Sequence, residues 1–252
     1  MAAPLQSSLM SPLIFVHGFA CTRADWHKQL AHFSAGHPVF APDLRGHGAT
    51  HARAEDCSIE TYGSDIAALL DGKDLKGAVL IGHSMGCRAV LQAYLNAPER
   101  VAALALVDGS YQGGNHPFQI DDYPTFARTM FAGMFFSPSQ AGAEIIERAL
   151  RLPAAIGASL FPRLVRWDAE NMARALSAVK VPLLVIQSTY MNAERKRSPL
   201  KIGQSTPWLD LVRSHAPQAQ IEIIPDVGHF PQLEAAEAVN KHLAGLISKA
   251  AT

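Results

Sequence analysis

The sequence predicts an α/β fold: a mostly parallel sheet covered by helices on both faces. Three observations predict it. Short apolar, β-favouring runs alternate with amphipathic stretches along most of the 252 residues. Runs such as Leu13-Ile14-Phe15-Val16 and Ala78-Val79-Leu80-Ile81 are apolar throughout, as strands buried on both faces must be. Each ends in turn-forming residues, such as His17-Gly18, Pro42-Asp43 and Asp108-Gly109, before a helical pattern begins.

Taken in order, strands are expected near 13–17, 37–41, 78–82, 101–108, 182–188 and 220–224. Helices are expected near 24–34, 58–71, 86–96, 206–215 and 233–248. Residues 111–180 have a different texture. Aromatic and methionine side chains cluster there (Tyr123, Phe126, Met130, Phe131, Met134, Phe135), and Ile145, Leu160, Trp167 and Met172 follow at helical spacing. Prolines 117, 124, 138, 153 and 162 are expected to cut this stretch into short helices. The expected organisation is therefore a core of residues 1–110 and 181–252 with a helical cap over 111–180. The apolar cap residues either pack the sheet or line a pocket, and a cap needs both.

Composition excludes several classes. Hydrophobic content of 48% and charged content of 17% fit a globular enzyme with a full core. The 22 basic and 22 acidic residues balance, so neither nucleic acid nor an anionic membrane is expected as partner. Three cysteines argue against a disulfide framework, and no Cys/His spacing suggests a metal site. With no apolar run of membrane length and no leader-like start, a cytoplasmic protein is expected.

The most informative residue is Ser84. It sits in Gly82-His83-Ser84-Met85-Gly86, between an apolar run and a helical stretch from Cys87 to Asn96. A G-x-S-x-G sequence in a strand–turn–helix context is a nucleophile elbow; without that context it is an ordinary glycine-rich turn. Upstream, Leu13–Val16 ends in His17-Gly18-Phe19, where the Phe19 N–H can face a developing oxyanion. The second donor would be the N–H of Met85. Pro42-Asp43-Leu44-Arg45-Gly46-His47-Gly48 reads as a loop braced by Asp43 and Arg45. Arg23 and Asp25 read as a local ion pair, the alternative being contacts to a polar substrate group. Near the C-terminus, Ile221–Ile224 is followed by Pro225-Asp226-Val227-Gly228-His229-Phe230. A histidine after the last strand can reach back across the sheet edge to Ser84. Glu234 reads as a brace for the final helix.

These pieces resemble the α/β-hydrolase superfamily. His17-Gly18-Phe19, Asp43-Leu44-Arg45-Gly46-His47-Gly48, Gly82-His83-Ser84-Met85-Gly86 and Gly228-His229-Phe230 run in that family's order and span almost the whole chain. The resemblance implies an α/β-hydrolase fold with a cap inserted after the strand ending at Asp108, and with the first strands of the family reduced. It implies Ser84 as nucleophile, His229 as base, Phe19 and Met85 as the oxyanion hole, and no cofactor.

The acid is the open member. In most of the superfamily it follows the strand that here is Val181–Ser188, but the sequence continues Thr189-Tyr190-Met191-Asn192-Ala193-Glu194, with no aspartate at the expected place. Asp108, ending the strand after the nucleophile helix, is the preferred acid, because some branches carry it there. Glu194 is the alternative, and a Ser84–His229 dyad helped by Asn192 or a backbone carbonyl is a third.

The expected activity is a serine hydrolase of a carboxylic ester, lactone or related acyl compound. The alternatives are a C–C bond hydrolase, or a cofactor-free dioxygenase using His229 and Asp108 as a base pair. The expected partner is a small molecule with an apolar or aromatic part, acted on by a monomer or homodimer. An unperturbed imidazole titrates near ~6.5, so activity is expected to rise between about pH 6 and 8.

Overall fold

The computed structural model describes residues 10–112, 119–192 and 196–250. Six parallel strands form the sheet, in the order β2 (Val39–Phe40), β1 (Leu13–Val16), β3 (Ala78–His83), β4 (Val101–Val107), β5 (Leu183–Gln187) and β8 (Gln220–Ile223). The apolar runs become these strands because helices cover both faces. Alternate residues go to opposite sides: Leu13, Phe15, Val79 and Ile81 face α1 (His27–Phe33) and α9 (Ala236–Ala250), with Trp26, Phe33, Val239 and Leu243. Ile14, Val16, Leu80, Leu104 and Leu106 face α2 (Ile59–Gly72) and α3 (Met85–Asn96), with Ile59, Tyr62, Ile66 and Val90. Among the described residues no strand precedes β1.

Among the described residues three helices lie between β4 and β5: α4 (Tyr123–Ala132), α5 (Gln140–Leu150) and α6 (Ala154–Ala178). Asp122 and Ser139 cap the first two through their side chains, and Pro124 sits in the first turn of α4, where its missing N–H costs nothing. The expectation of short pieces fails for α6, which runs 25 residues through Pro162. Buried Leu160, Leu164, Trp167 and Met172 hold one face against the rest of the core, and Arg163 donates to the carbonyls of Ala54 and Cys57. Packing on both sides of the proline outweighs its local cost. Pro117 lies outside the described residues.

After β5 the chain makes a two-stranded antiparallel ribbon, β6 (Thr189–Met191) with β7 (Arg197–Pro199), which the sequence reading did not anticipate. Helix α7 (Pro207–His215) precedes β8, and α8 (Pro231–Glu234) lies between β8 and α9. Among the described residues no helix is long and apolar enough to cross a membrane.

Candidate active site

The site is built at the carboxyl ends of neighbouring parallel strands. Ser84 follows β3 directly and opens α3, with φ 53° and ψ −113°. A serine in this left-handed region is strained, and close packing of the turn holds it there. A Cβ on Gly82 would lie 2.3 Å from the Gly86 carbonyl oxygen, and one on Gly86 would lie 2.3 Å from that of Val16. Both glycines of the motif are therefore required by close backbone approach. Ser84 N–H donates to the Val107 carbonyl at 3.0 Å, which fixes the elbow beside the end of β4.

Asp108 is the next residue of that strand. It too has a positive φ, 43°, and its N–H donates to Ile186 at 2.7 Å. His229 comes from the loop after β8. Its Nε2 lies 2.9 Å from Ser84 Oγ and its Nδ1 lies 2.6 Å from Asp108 Oδ2. Ser84, His229 and Asp108 thus form one hydrogen-bonded chain. Glu194 lies outside the described residues. Asn192 turns elsewhere: its amide donates to Ser198 and its carbonyl accepts from Lys196 N–H.

The end of β5, where the sequence lacks an aspartate, supplies donors to Asp108 instead. Oδ1 accepts from the N–H groups of Ser188 at 2.7 Å and Thr189 at 2.9 Å. Oδ2 accepts from the Thr189 hydroxyl at 2.5 Å. The loop carrying His229 is held on every side. Its N–H donates to Met134 and its carbonyl accepts from His83 Nε2. Ser188 Oγ donates to the Gly228 carbonyl. Glu234 corrects its expected role: rather than bracing the last helix, its carboxylate accepts from the N–H groups of Gly228 and Phe230, on either side of His229.

The electrostatics follow from burial. Asp108 is fully buried, which pushes its carboxyl up, but the hydrogen bond and charge of His229, then Arg197 and Thr189, outweigh this and hold it below the usual range. Burial pushes His229 down to about 4, with the Arg197 charge acting the same way and Asp108 opposing both. His229 is therefore a neutral imidazole at neutral pH, able to accept a proton on Nε2 while Nδ1–H points at Asp108. Burial likewise drives His83 down to about 3 and Cys87 up to about 12, so neither is an available charge.

The Met85 N–H is the first of α3 and has no intrahelical acceptor. The Phe19 N–H donates to no group among the described residues. The loop beyond Phe19 is stitched to distant elements, which corrects two expectations. Asp25 pairs with Arg148 of α5, and Arg23 lies 3.7 Å from Asp43, so Arg23 and Asp25 are not a local pair. Asp43 accepts from Arg23 N–H and Ala49 N–H, whereas Arg45 forms a two-pronged pair with Asp65. The two residues brace different parts of the structure.

Above Ser84 and His229 lies a cavity of about 690 Å³, walled by Phe126, Met130, Met134, Phe135 and Phe161. Sequence reasoning missed two basic residues in its wall. Arg88, one turn beyond Ser84, is bound at Nε and Nη2 by both oxygens of Asp168 in α6, and it also donates to the carbonyls of Ser84 and Ser110. Arg197, from β7, donates to Thr189 Oγ1 at 2.6 Å and lies 3.6 Å from Asp108 Oδ2. A basic residue at 88 could have been flagged, since a helical arginine one turn from the elbow faces the same end of the sheet. Arg197 gave no signal apart from its place in a charged run.

Comparison with known proteins places the chain. The family model described as "Alpha/beta hydrolase family" matches residues 13–242. The chain belongs to the alpha/beta hydrolase family. Among curated relatives, this alpha/beta hydrolase is 27% identical over 260 residues to the dihydrolipoyllysine-residue acetyltransferase component of the acetoin cleaving system of Pseudomonas putida, covering 95% of this chain and 64% of that protein. It is 42% identical over 98 residues to a non-heme chloroperoxidase of Streptomyces lividans, covering 38% of this chain and 36% of that protein. The chain thus spans less than two thirds of the length of these relatives. Among solved structures, it matches a putative aryl esterase from Burkholderia cenocepacia with a TM-score of 0.79 at 22% identity, covering 97% of this chain and 92% of that one. An N-acyl homoserine lactone degrading enzyme matches with a TM-score of 0.77 at 24% identity, covering 93% and 92%. Likeness at this level of identity establishes the fold.

Proposed function

We propose that this alpha/beta hydrolase cleaves a carboxylic ester, lactone or related acyl compound through an acyl-enzyme on Ser84. The observation that carries the reading is the hydrogen-bonded chain from Ser84 Oγ through His229 to Asp108, at 2.9 and 2.6 Å, with the serine on a strained elbow.

Each residue has one task. Ser84 Oγ attacks the carbonyl carbon while His229 Nε2 takes its proton. Asp108 holds the tautomer with Nδ1–H and stabilises the imidazolium that forms. The N–H groups of Phe19 and Met85 receive the oxyanion; a single such donor is worth roughly 3–4 kcal/mol in a characterised hydrolase. The tetrahedral intermediate collapses, and the His229 proton goes to the departing alkoxide. A water then repeats the sequence on the acyl-enzyme and releases the acid.

Helices α4 to α6, within residues 111–180, act as a cap whose underside receives the apolar part of the substrate. The aromatic and methionine wall of the cavity supports this role. A panel of activated esters of graded acyl length, together with lactones, tests the reading: turnover that is lost in Ser84→Ala supports it. Persistent turnover in that variant, with oxygen uptake on a heteroaromatic substrate, would favour a His229–Asp108 base pair acting alone.

A further inference from the structure

We infer that Arg197 receives a carboxylate carried by the substrate, at the end of the acyl group remote from the scissile carbonyl. The inference rests on the acyl-transfer reading and specifies its substrate: a half-ester, or a lactone bearing a free acid.

The cavity is mostly apolar, yet a guanidinium forms part of its wall beside the acid of the hydrogen-bonded chain. The Arg197 side chain is only 10% exposed. Removing a cation this far from water is costly unless it is paired and hydrogen-bonded. Its pairing here is incomplete. Of the five N–H donors of a guanidinium, Arg197 uses one among the described residues, to Thr189 Oγ1 at 2.6 Å. Asp108 stands 3.6 Å away, beyond hydrogen-bond reach, and its two oxygens already accept from Ser188, Thr189 and His229. Asp108 therefore offsets the charge of Arg197 without satisfying its donors. No Arg197 nitrogen is among the described buried side-chain atoms left without a partner, and Arg197 lines the cavity, which gives its unpaired donors a place to meet a ligand.

Arg88 is the contrast. It lines the same cavity, but four acceptors from Asp168, Ser84 and Ser110 occupy its guanidinium. Lys196 stands at the exposed rim, where it adds positive potential at the entrance. A planar guanidinium with adjacent free N–H groups matches a carboxylate through two parallel hydrogen bonds. One such anion suits Arg197, the uncommitted buried cation among the described residues of the cavity wall, whereas a dianion would bring an excess of negative charge beside Asp108.

The placement also carries a cost that an anion would remove. A bare guanidinium next to Asp108 opposes the imidazolium that must form on His229. A substrate carboxylate on Arg197 cancels that opposition during the reaction, so a substrate with the acid would be processed better than one without it. A residue kept only to brace Thr189 would confer no such preference.

The test compares p-nitrophenyl hexanoate, heptanoate and octanoate with the mono-p-nitrophenyl esters of adipic, pimelic and suberic acids, with spontaneous hydrolysis subtracted. In the unaltered protein, kcat/KM should favour the half-ester at one chain length by about tenfold or more. Arg197→Met should lower the ratio of half-ester to neutral ester by at least the same factor, and Arg197→Lys should recover part of it. Absence of a half-ester preference at every length overturns the inference. So does an Arg197→Met variant in which both esters fall together with the ratio unmoved, since that is the signature of a brace. Both outcomes leave the acyl-transfer reading standing. Turnover of no ester at all removes that reading, and this inference with it.

Discussion

The Thr189 hydroxyl donates to Asp108 at 2.5 Å while accepting from Arg197 at 2.6 Å. One side chain thus orients the acid that faces His229 and separates it from a buried cation. Thr189→Val keeps the shape of the side chain but removes both bonds. It should lower kcat by roughly 10- to 100-fold, in line with about 1–3 kcal/mol for leaving buried polar groups unpaired. Asp108→Asn should cost far more, on the order of 10⁴ in kcat, because an amide holds the imidazole in the wrong tautomer. Steady-state kinetics on one activated ester rank the two. A larger loss in Thr189→Val would place the acid elsewhere.

The pH profile should depart from that of a free imidazole. The groups around His229 are Asp108, Arg197, Arg88 and the neutral His83, and their sum with burial puts His229 at about 4. His229 must be neutral to act as base. The acid limb of kcat/KM for a neutral ester should therefore lie near that value, with a plateau from about pH 6 upward, and the rise between pH 6 and 8 expected for an ordinary histidine should be absent. A limb near 6.5 would show His229 to be more solvated than its burial implies.

Stability should fall on the acid side for a related reason. Burial holds His17, His47, His83 and His229 below the ordinary histidine value in the folded chain. Their geometry agrees: His17 Nε2 accepts from the Leu44 N–H, which a doubly protonated ring could not do. The unfolded chain binds protons on these groups below about 6.5 while the folded one does not, so the unfolded state gains as pH drops. Stability is highest above that pH and declines toward 4, each histidine adding up to ~1.4 kcal/mol per pH unit. Urea midpoints between pH 4 and 8 measure this. A flat profile over pH 4 to 6.5 would contradict it.

Much of the fold was legible because its signals are local. Continuous apolar runs mark parallel strands, and the two glycines around Ser84 mark a turn that no Cβ could enter. The order of Ser84, Asp108 and His229 relative to their strands was enough to suggest that they meet. What escaped was non-local or overridden. Thr189 reaches Asp108 because β5 lies beside β4, and Arg197 because β7 folds back on β6; in sequence the Arg197 stretch reads as a solvated charge run. Arg88 and Asp168 are far apart in the chain, and nothing nearby marks either as buried. Pro162 looked like a break, yet α6 continues through it because packing outweighs propensity.

The Arg88–Asp168 pair should matter to stability as well as to the cavity. The two side chains are 1% and 0% exposed, and they join the helix behind Ser84 to α6. Arg88→Met leaves Asp168 buried without its partner and should destabilise by about 3–5 kcal/mol. The double variant Arg88→Met/Asp168→Leu should cost clearly less. Denaturant unfolding of the three proteins measures both; a double variant as unstable as the single would show that the pair also supplies packing that apolar side chains cannot replace.

The central claim, that Ser84 is a nucleophile activated by His229, is tested most directly by covalent labelling. A fluorophosphonate incubated with the intact protein and followed by peptide mass spectrometry should modify Ser84 in a one-to-one ratio. Labelling should disappear in Ser84→Ala and slow by orders of magnitude in His229→Ala. An intact protein that stays unlabelled, or a Ser84→Ala protein that labels as fast as the original, would contradict the account.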